Sequence, residues 1–526
     1  MLTRLNNLRL LLFLALAIGL VVLHVAVAGG NFPLDDSWIH QSYGRNLGTI
    51  GEWSLIPGQP SAASTAPLYT VLLAAGYTLS IPFRLWTHGM GALALWGIAV
   101  CGARLADRAA PNLRYAGLIT GLFLVMEWHL IWAAAAGMET ALFAMWVLLL
   151  PLLIWREHDD NRSRDSVPTL LRGGLFGAVS ALAILTRPEG IVLAGLCGLA
   201  WLIQSLRVSR RPTGSPLPVK YLLLWVGGAA VGFAIFIAPY LWLNLSLTGG
   251  LLPNTSAAKQ MQFAPRQVFS LPRRLWQMTV PPFVGGQVLL VPGMVWFVVI
   301  AVRRNRLEVA FVPIVWAFAL IALYAVRLPF WEQHGRYVIP AVPGIVLTGA
   351  VGMLWLLESA RRSLVGRVLT RVAAIGAGAV FAVVALVLSP GIYARDVAII
   401  DQEMVTSAQW IDENVPDDVF MAIHDIGAVA YYTPRPILDI AGLVSPEVIP
   451  IVNDADALWA LMQAEGAQLL MALPDQIPGD DPADPRLCEV FNTGGTAAIN
   501  AGGANMAIYA LAWDENCSST RFFEHE

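Results

Sequence analysis

The chain has 526 residues, of which 57% are hydrophobic and 13% charged, with a mean hydropathy of +0.62 and a formal net charge of -3. Soluble globules carry about a quarter charged residues, so this composition excludes one and leaves a polytopic membrane protein. Nucleic-acid binding is excluded as well, because the few arginines of the C-terminal region form no basic stripe.

In chain order, the first apolar run covers 8–28, with Arg4 and Arg9 at its start. Ala26-Val27-Ala28 fits a signal-peptidase site, but about 20 apolar residues are enough to span a bilayer, and an uncleaved first span is expected. A polar loop, 29–85, follows. Its segment 67–80 is apolar but too short to cross, which suits an interfacial helix. Further spans are expected at 86–105, 115–132, 141–155, 171–185, 191–206, 221–245, 283–302, 309–326, 337–357 and 372–388, giving about 11 in all.

Basic residues orient the array. Arg4 and Arg9; Arg104, Arg108 and Arg114; Arg156, Arg162, Arg164 and Arg172; Arg207, Arg210, Arg211 and Lys220; Arg303, Arg304 and Arg306; and Arg361, Arg362, Arg367 and Arg371 fall on one side. These are 20 of the 33 basic residues, and the positive-inside rule makes that side cytoplasmic. The loop 29–85 and everything after Pro390 then face outward. Residues 1–389 read as the membrane domain and 390–526 as a small soluble α/β domain. It has helices expected at 402–414 and 458–464 and strands at 419–423, 437–440 and 468–473. Cys101 and Cys197 lie in apolar runs as packing residues. Cys488 and Cys517 are placed to pair if the tail is extracytoplasmic.

The outward loops hold the specific polar sets: DDSWIHQSY at 35–43, EWH at 127–129, GMET at 137–140, TRPEG at 186–190, LLPNTSAAK at 251–259 and WEQHGRY at 331–337. Asp35 and Asp36, with Tyr43 nearby, place two acids at a membrane surface. A partly desolvated carboxylate there can take a proton from an attacking hydroxyl. At the start of one helix the two point about 100° apart, so one of them serves as base; the plainer reading is helix capping. Arg187, Lys259 and Arg336, with His334, are the cations able to meet a phosphate, or else they snorkel to headgroups. Lysine is otherwise almost absent, which singles out Lys259. Asn254 suits sugar hydroxyls or a turn. Glu127 and His129 are intramembrane or interfacial ionisable residues.

These sets resemble the GT-C superfamily of integral membrane glycosyltransferases. They are most similar to the bacterial branch with the pattern DDxYIxxxYxRNLxxGxxxxxxPGxxxxxxxSPLW, to which the mycobacterial cell-wall arabinofuranosyltransferase is similar. Here the pattern stands as DDSWIHQSYGRNLGTIGEWSLIPGQPSAASTAPLY, with Trp38 for the usual tyrosine and Ala66-Pro67 for Ser-Pro. GMET, RPEG, LPNT, GRY and the tail string DIGAVAYYTPRPILDIAGLV resemble that branch too. The resemblance implies inverting transfer of a sugar from a polyprenyl-phosphate donor to a glycan, lipid or protein acceptor outside the cytoplasmic membrane of a bacterium. It favours Asp35 as base and makes Glu139 a second acid that orients the acceptor or helps hold a divalent cation. Two other classes predict different patterns. A transporter or flippase would place ionisable residues at the midplane of repeated halves, and a lipid-binding scaffold would keep its activity in the tail alone.

Overall fold

The computed structural model describes residues 2–162, 169–208, 219–251, 253, 255–303, 309–360 and 363–513. Asn254, Cys517 and the arginines Arg164, Arg210, Arg211, Arg304, Arg306, Arg361 and Arg362 lie outside the described residues.

The apolar runs become helices. Among the described residues, seven are long and apolar enough to cross a membrane: Asn7–Val27, Phe83–Ala109, Val219–Thr248, Gly286–Arg303, Val309–Arg327, Gln333–Ser359 and the apolar part of Leu364–Asn414. Three shorter apolar helices, Thr140–Trp155, Leu170–Thr186 and Gly190–Leu206, fall where shorter spans are expected. The protein is a multi-pass membrane protein, and its C-terminal region carries a sheet.

Two expectations are corrected. The run at 115–132 is not one continuous helix: Ala116–Val125 and Trp128–Ala135 meet at a 54° bend, as a broken span or a re-entrant pair does. Glu127 sits at the break, where its side chain caps the second helix by accepting from the Leu130 amide at 2.8 Å. The helices expected at 372–388 and 402–414 are one helical stretch, Leu364–Asn414. Pro390 does not end it, because a π turn at Val384–Leu388 precedes the proline and absorbs its missing donor.

The chain divides at 390/391, beside the boundary that composition places at 389/390, but two earlier segments join the unit that holds the tail. One compact unit comprises Met1–His24, His88–Leu241 and Val268–Pro390; the other comprises Val25–Thr87, Trp242–Gln267 and Gly391–Glu526. The first is built from helices that approach through small residues. A Cβ on Gly173 or Gly177 would stand 1.9 Å from the carbonyl oxygens of Trp225 and Ala229, and one on Gly352 would stand 1.8 Å from that of Gly293. Only glycine permits such backbone contact, the usual device where the surroundings are as apolar as the side chains.

The second unit joins the acidic loop to the tail. Trp38, fully buried, lies 4.9 Å from Tyr431, 5.1 Å from Tyr432, 5.2 Å from Phe32 and 6.1 Å from Phe83 between ring centroids. Contacts between residues so distant in sequence leave no trace in composition, which is why the boundary read from composition misses them. The segment Pro67–Thr78 is a 12-residue helix. The sheet runs in the order Ile437–Asp439, Met421–Ile423, Leu469–Ala472, Ala507–Leu511, Leu487–Asn492. The first three strands are parallel and the last two antiparallel. The sequence reading finds those three and misses the other two. Cys488 is disulfide-bonded, whereas Cys101 and Cys197 are buried free thiols.

Candidate functional site

In the sheet-containing unit, Asp35 and Asp36 open the helix Asp35–Ile50, whose N-cap, Leu34, gives no side-chain cap. Acids in a first turn are favoured by the helix dipole. Asp35 nevertheless reaches to another element: its two carboxylate oxygens accept the amides of Gly427 at 2.6 Å and Ala428 at 2.8 Å, in the first turn of Ile426–Tyr432. A Cβ at Gly427 would stand 2.2 Å from the Asp35 carbonyl oxygen, so this approach requires glycine. Burial, then the neighbouring Asp425, push the Asp35 carboxyl up to about 7, against the two amides that favour its charged form.

Asp36 pairs with Lys259, Oδ2 to Nζ 3.2 Å, in a site where both side chains are about one-fifth exposed. Two further residues complete the cluster, and the sequence reading gave neither a chemical role. His424 and Asp425 follow directly on the buried strand Met421–Ile423, with Nδ1 and Oδ1 3.5 Å apart. Asp425 also accepts from Gln476 at 2.7 Å, and His424 Nε2 lies 3.0 Å from Gln262 Nε2. Burial works against a charged His424, but the Asp425 carboxylate and the acids Asp439 and Asp475 outweigh it and raise its pKa. For Asp425, burial opposes the charge and His424 prevails, holding it below the ordinary value. Asp439, fully buried, is pushed up to about 6 while accepting the amides of Ala441 and Val444. A histidine and an acid at the end of a buried strand were the signal available in the sequence.

Tyr43 is placed as a core residue. It is fully buried, and its hydroxyl is 2.6 Å from Ser61 Oγ and accepts the Ala63 amide at 3.1 Å.

The helical unit holds the remaining candidates. Arg187 and Glu139 are each 6% exposed. Arg187 lies 3.7 Å from Glu139 and 3.5 Å from Glu189, donates to the Tyr324 hydroxyl at 3.0 Å, and stands 5.5 Å from the ring centre of Tyr337. Arg336 lies 5.0 Å from the same ring. His334 is set apart from these, edge-on to Trp128 and Trp132 at 5.3 and 5.5 Å. Of the predicted residues, Asp35, Asp36 and Lys259 lie together in the sheet-containing unit and Glu139, Arg187 and Arg336 in the helical unit, while Tyr43 and His334 join neither group. Among the described residues, no group of three or more His, Cys, Asp or Glu is arranged to hold a metal ion.

Residues 395–509 match the model of a domain of unknown function, DUF8728. No curated protein matches the chain. Among solved structures it is similar to ArnT from Cupriavidus metallidurans bound to undecaprenyl phosphate, with 14% identity and a TM-score of 0.56 over 96% of this chain and 98% of that one. The apo state of ArnT gives 14% and 0.54 over 95% and 97%. A mutant of the arabinofuranosyltransferase AftD from Mycobacteria gives 15% and 0.50 over 94% and 41%. At these identities the likeness is one of fold.

Proposed function

We infer that this chain, whose fold is that of the GT-C membrane glycosyltransferases, is an inverting glycosyltransferase. It moves a sugar from a polyprenyl-phosphate donor to a glycan, lipid or protein hydroxyl on the extracytoplasmic side of a bacterial cytoplasmic membrane. The observation that supports this reading best is the Asp35 carboxyl, oriented by two backbone amides, raised to about 7 and adjacent to the Asp36–Lys259 pair. A general base works best with a pKa near the operating pH. Each carboxylate oxygen has a second lone pair, so the amides leave Asp35 able to accept a substrate proton.

In the proposed step, the acceptor oxygen attacks the anomeric carbon and its proton passes to Asp35. The bond from that carbon to the phosphate oxygen breaks on the opposite face, and the lipid phosphate leaves with the electron pair. Lys259 turns from Asp36 to the departing phosphate, where a fixed cation acts on charge that grows in the transition state. A divalent cation brought in with the donor would take Asp36 and the donor phosphate as ligands; no step depends on it.

The test supplies membranes with lipid-linked sugar and compares Asp35→Asn with Asp36→Asn at matched expression. Loss of a base should lower turnover by about 10²–10⁴-fold in the first. A loss confined to the second transfers the role to Asp36, and wild-type transfer in both refutes the assignment. Sugar crossing the bilayer without transfer would favour a flippase instead.

A further inference from the structure

The helical unit holds an open cavity of 490 Å³ whose walls include Trp128, His129, Trp276, Gln277, Trp331 and His334. We propose that this cavity binds a saccharide.

Three observations carry it. The first is an oriented histidine. Glu127 holds His129 Nδ1 at 2.8 Å from one carboxylate oxygen, and Gln287 Nε2 donates to that same oxygen. In the tautomer that carries its proton on Nδ1, facing this carboxylate, the ring offers Nε2 as an acceptor. His129 is 1% exposed, and among the described residues its buried Nε2 has no hydrogen-bond partner.

The second is the sign of the other polar groups. Gln277 Oε1 is likewise buried without a partner among the described residues, and Glu332 stands on the cavity wall. Buried acceptors call for a ligand that donates. They offer nothing to an isoprenoid tail and repel a phosphate. The third is the aromatic wall. Trp128 and His129 lie 3.8 Å apart, and His334 meets Trp128 edge-on at 5.3 Å. Flat indole faces pack against the C–H face of a sugar ring while its hydroxyls donate sideways. The volume falls within the range of small-ligand pockets, about 300–1,000 Å³.

As a binding site the cavity is independent of the Asp35 chemistry; as an acceptor subsite it rests on the glycosyltransferase reading. The experiment separates the two. Saturation-transfer NMR is recorded on the full chain in detergent with methyl α-D-mannopyranoside, methyl β-D-glucopyranoside and methyl α-D-arabinofuranoside. The wild type should transfer saturation to the ring protons of one or more of them. Trp276, 70% exposed, can be replaced without opening a core, so Trp276→Ala should keep the wild-type melting curve and bind about five- to tenfold more weakly. His129→Gln should weaken binding in the same sense. The proposal is overturned by no transfer to any of the three probes, by unchanged binding in Trp276→Ala, or by displacement of the sugar by choline or decyl phosphate. Binding that persists where Asp35→Asn leaves sugar transfer intact would sink the base assignment and spare the cavity.

Discussion

The two charged clusters are built from the same residue types and hold them differently. Around Arg187, one guanidinium sits between two carboxylates, almost wholly buried, with Tyr324 and Tyr337 beside it. Around Asp35, three carboxylates share one lysine and one histidine, and backbone amides rather than cations take up the first of them. A buried charge matched by opposite charge stays ionised and rigid. Acids crowded together with too few cations must let one pKa rise, which is how a site comes to titrate near neutrality. On the proposed function, the first cluster holds a fixed charge and the second exchanges a proton.

The sharpest way to break that contrast is Arg187→Ala. Removing the guanidinium strands Glu139 and Glu189, and breaking a buried pair costs about 3–5 kcal/mol. Thermal unfolding in detergent should therefore shift strongly, and an unchanged midpoint would mean that the arginine is not the fixed charge described here. Lys259→Ala comes next and acts on rate rather than stability. Its pair with Asp36 is partly exposed and contributes about 1 kcal/mol or less to folding, whereas loss of a cation aimed at a leaving phosphate lowers kcat by about 10²–10³. Steady-state transfer assays separate the two, since a pure binding role would raise KM and spare kcat.

The legibility of the two clusters follows from the same physics. Long apolar runs announce themselves, so the helical scaffold and the arginine of TRPEG are visible in the residues alone. The bend at Glu127 is not, because a capping acid and an interfacial acid look alike without the Leu130 amide in view. The strands Leu487–Asn492 and Ala507–Leu511 escape because one carries a charge at Glu489 and the other contains two alanines, which weakens the strand signal. His424 and Asp425 escape because their importance comes from Asp35, which lies far earlier in the chain and acts on Asp425 through charge. No local pattern encodes that meeting.

A smaller effect tests the meeting itself. Gly427→Ala would push a methyl group into the Asp35 backbone, and overpacking of this kind costs about 1–3 kcal/mol. Transfer should fall along with stability, because the helix that orients Asp35 must shift. Full activity in a destabilised Gly427→Ala protein would show that the amides anchor the fold without orienting the base.

The finest test is Asp425→Asn, read as a pH profile. In the proposed step Asp35 acts as base only when ionised, and with its raised pKa the rate should climb as pH rises through about 7 and level off above it. Burial is the largest cause of that elevation, and Asp425 is the largest charge adding to it. Neutralising Asp425 removes this repulsion, so the Asp35 pKa falls and the acid limb moves to lower pH. Asparagine keeps the shape and can still accept from Gln476, while Asp36 and the two amides stay in place. Turnover at pH 6 relative to pH 8 should therefore increase even where the plateau drops. A limb that stays in place, or moves upward, would mean that the rate does not titrate with Asp35 and that the acid cluster holds charge as the arginine cluster does.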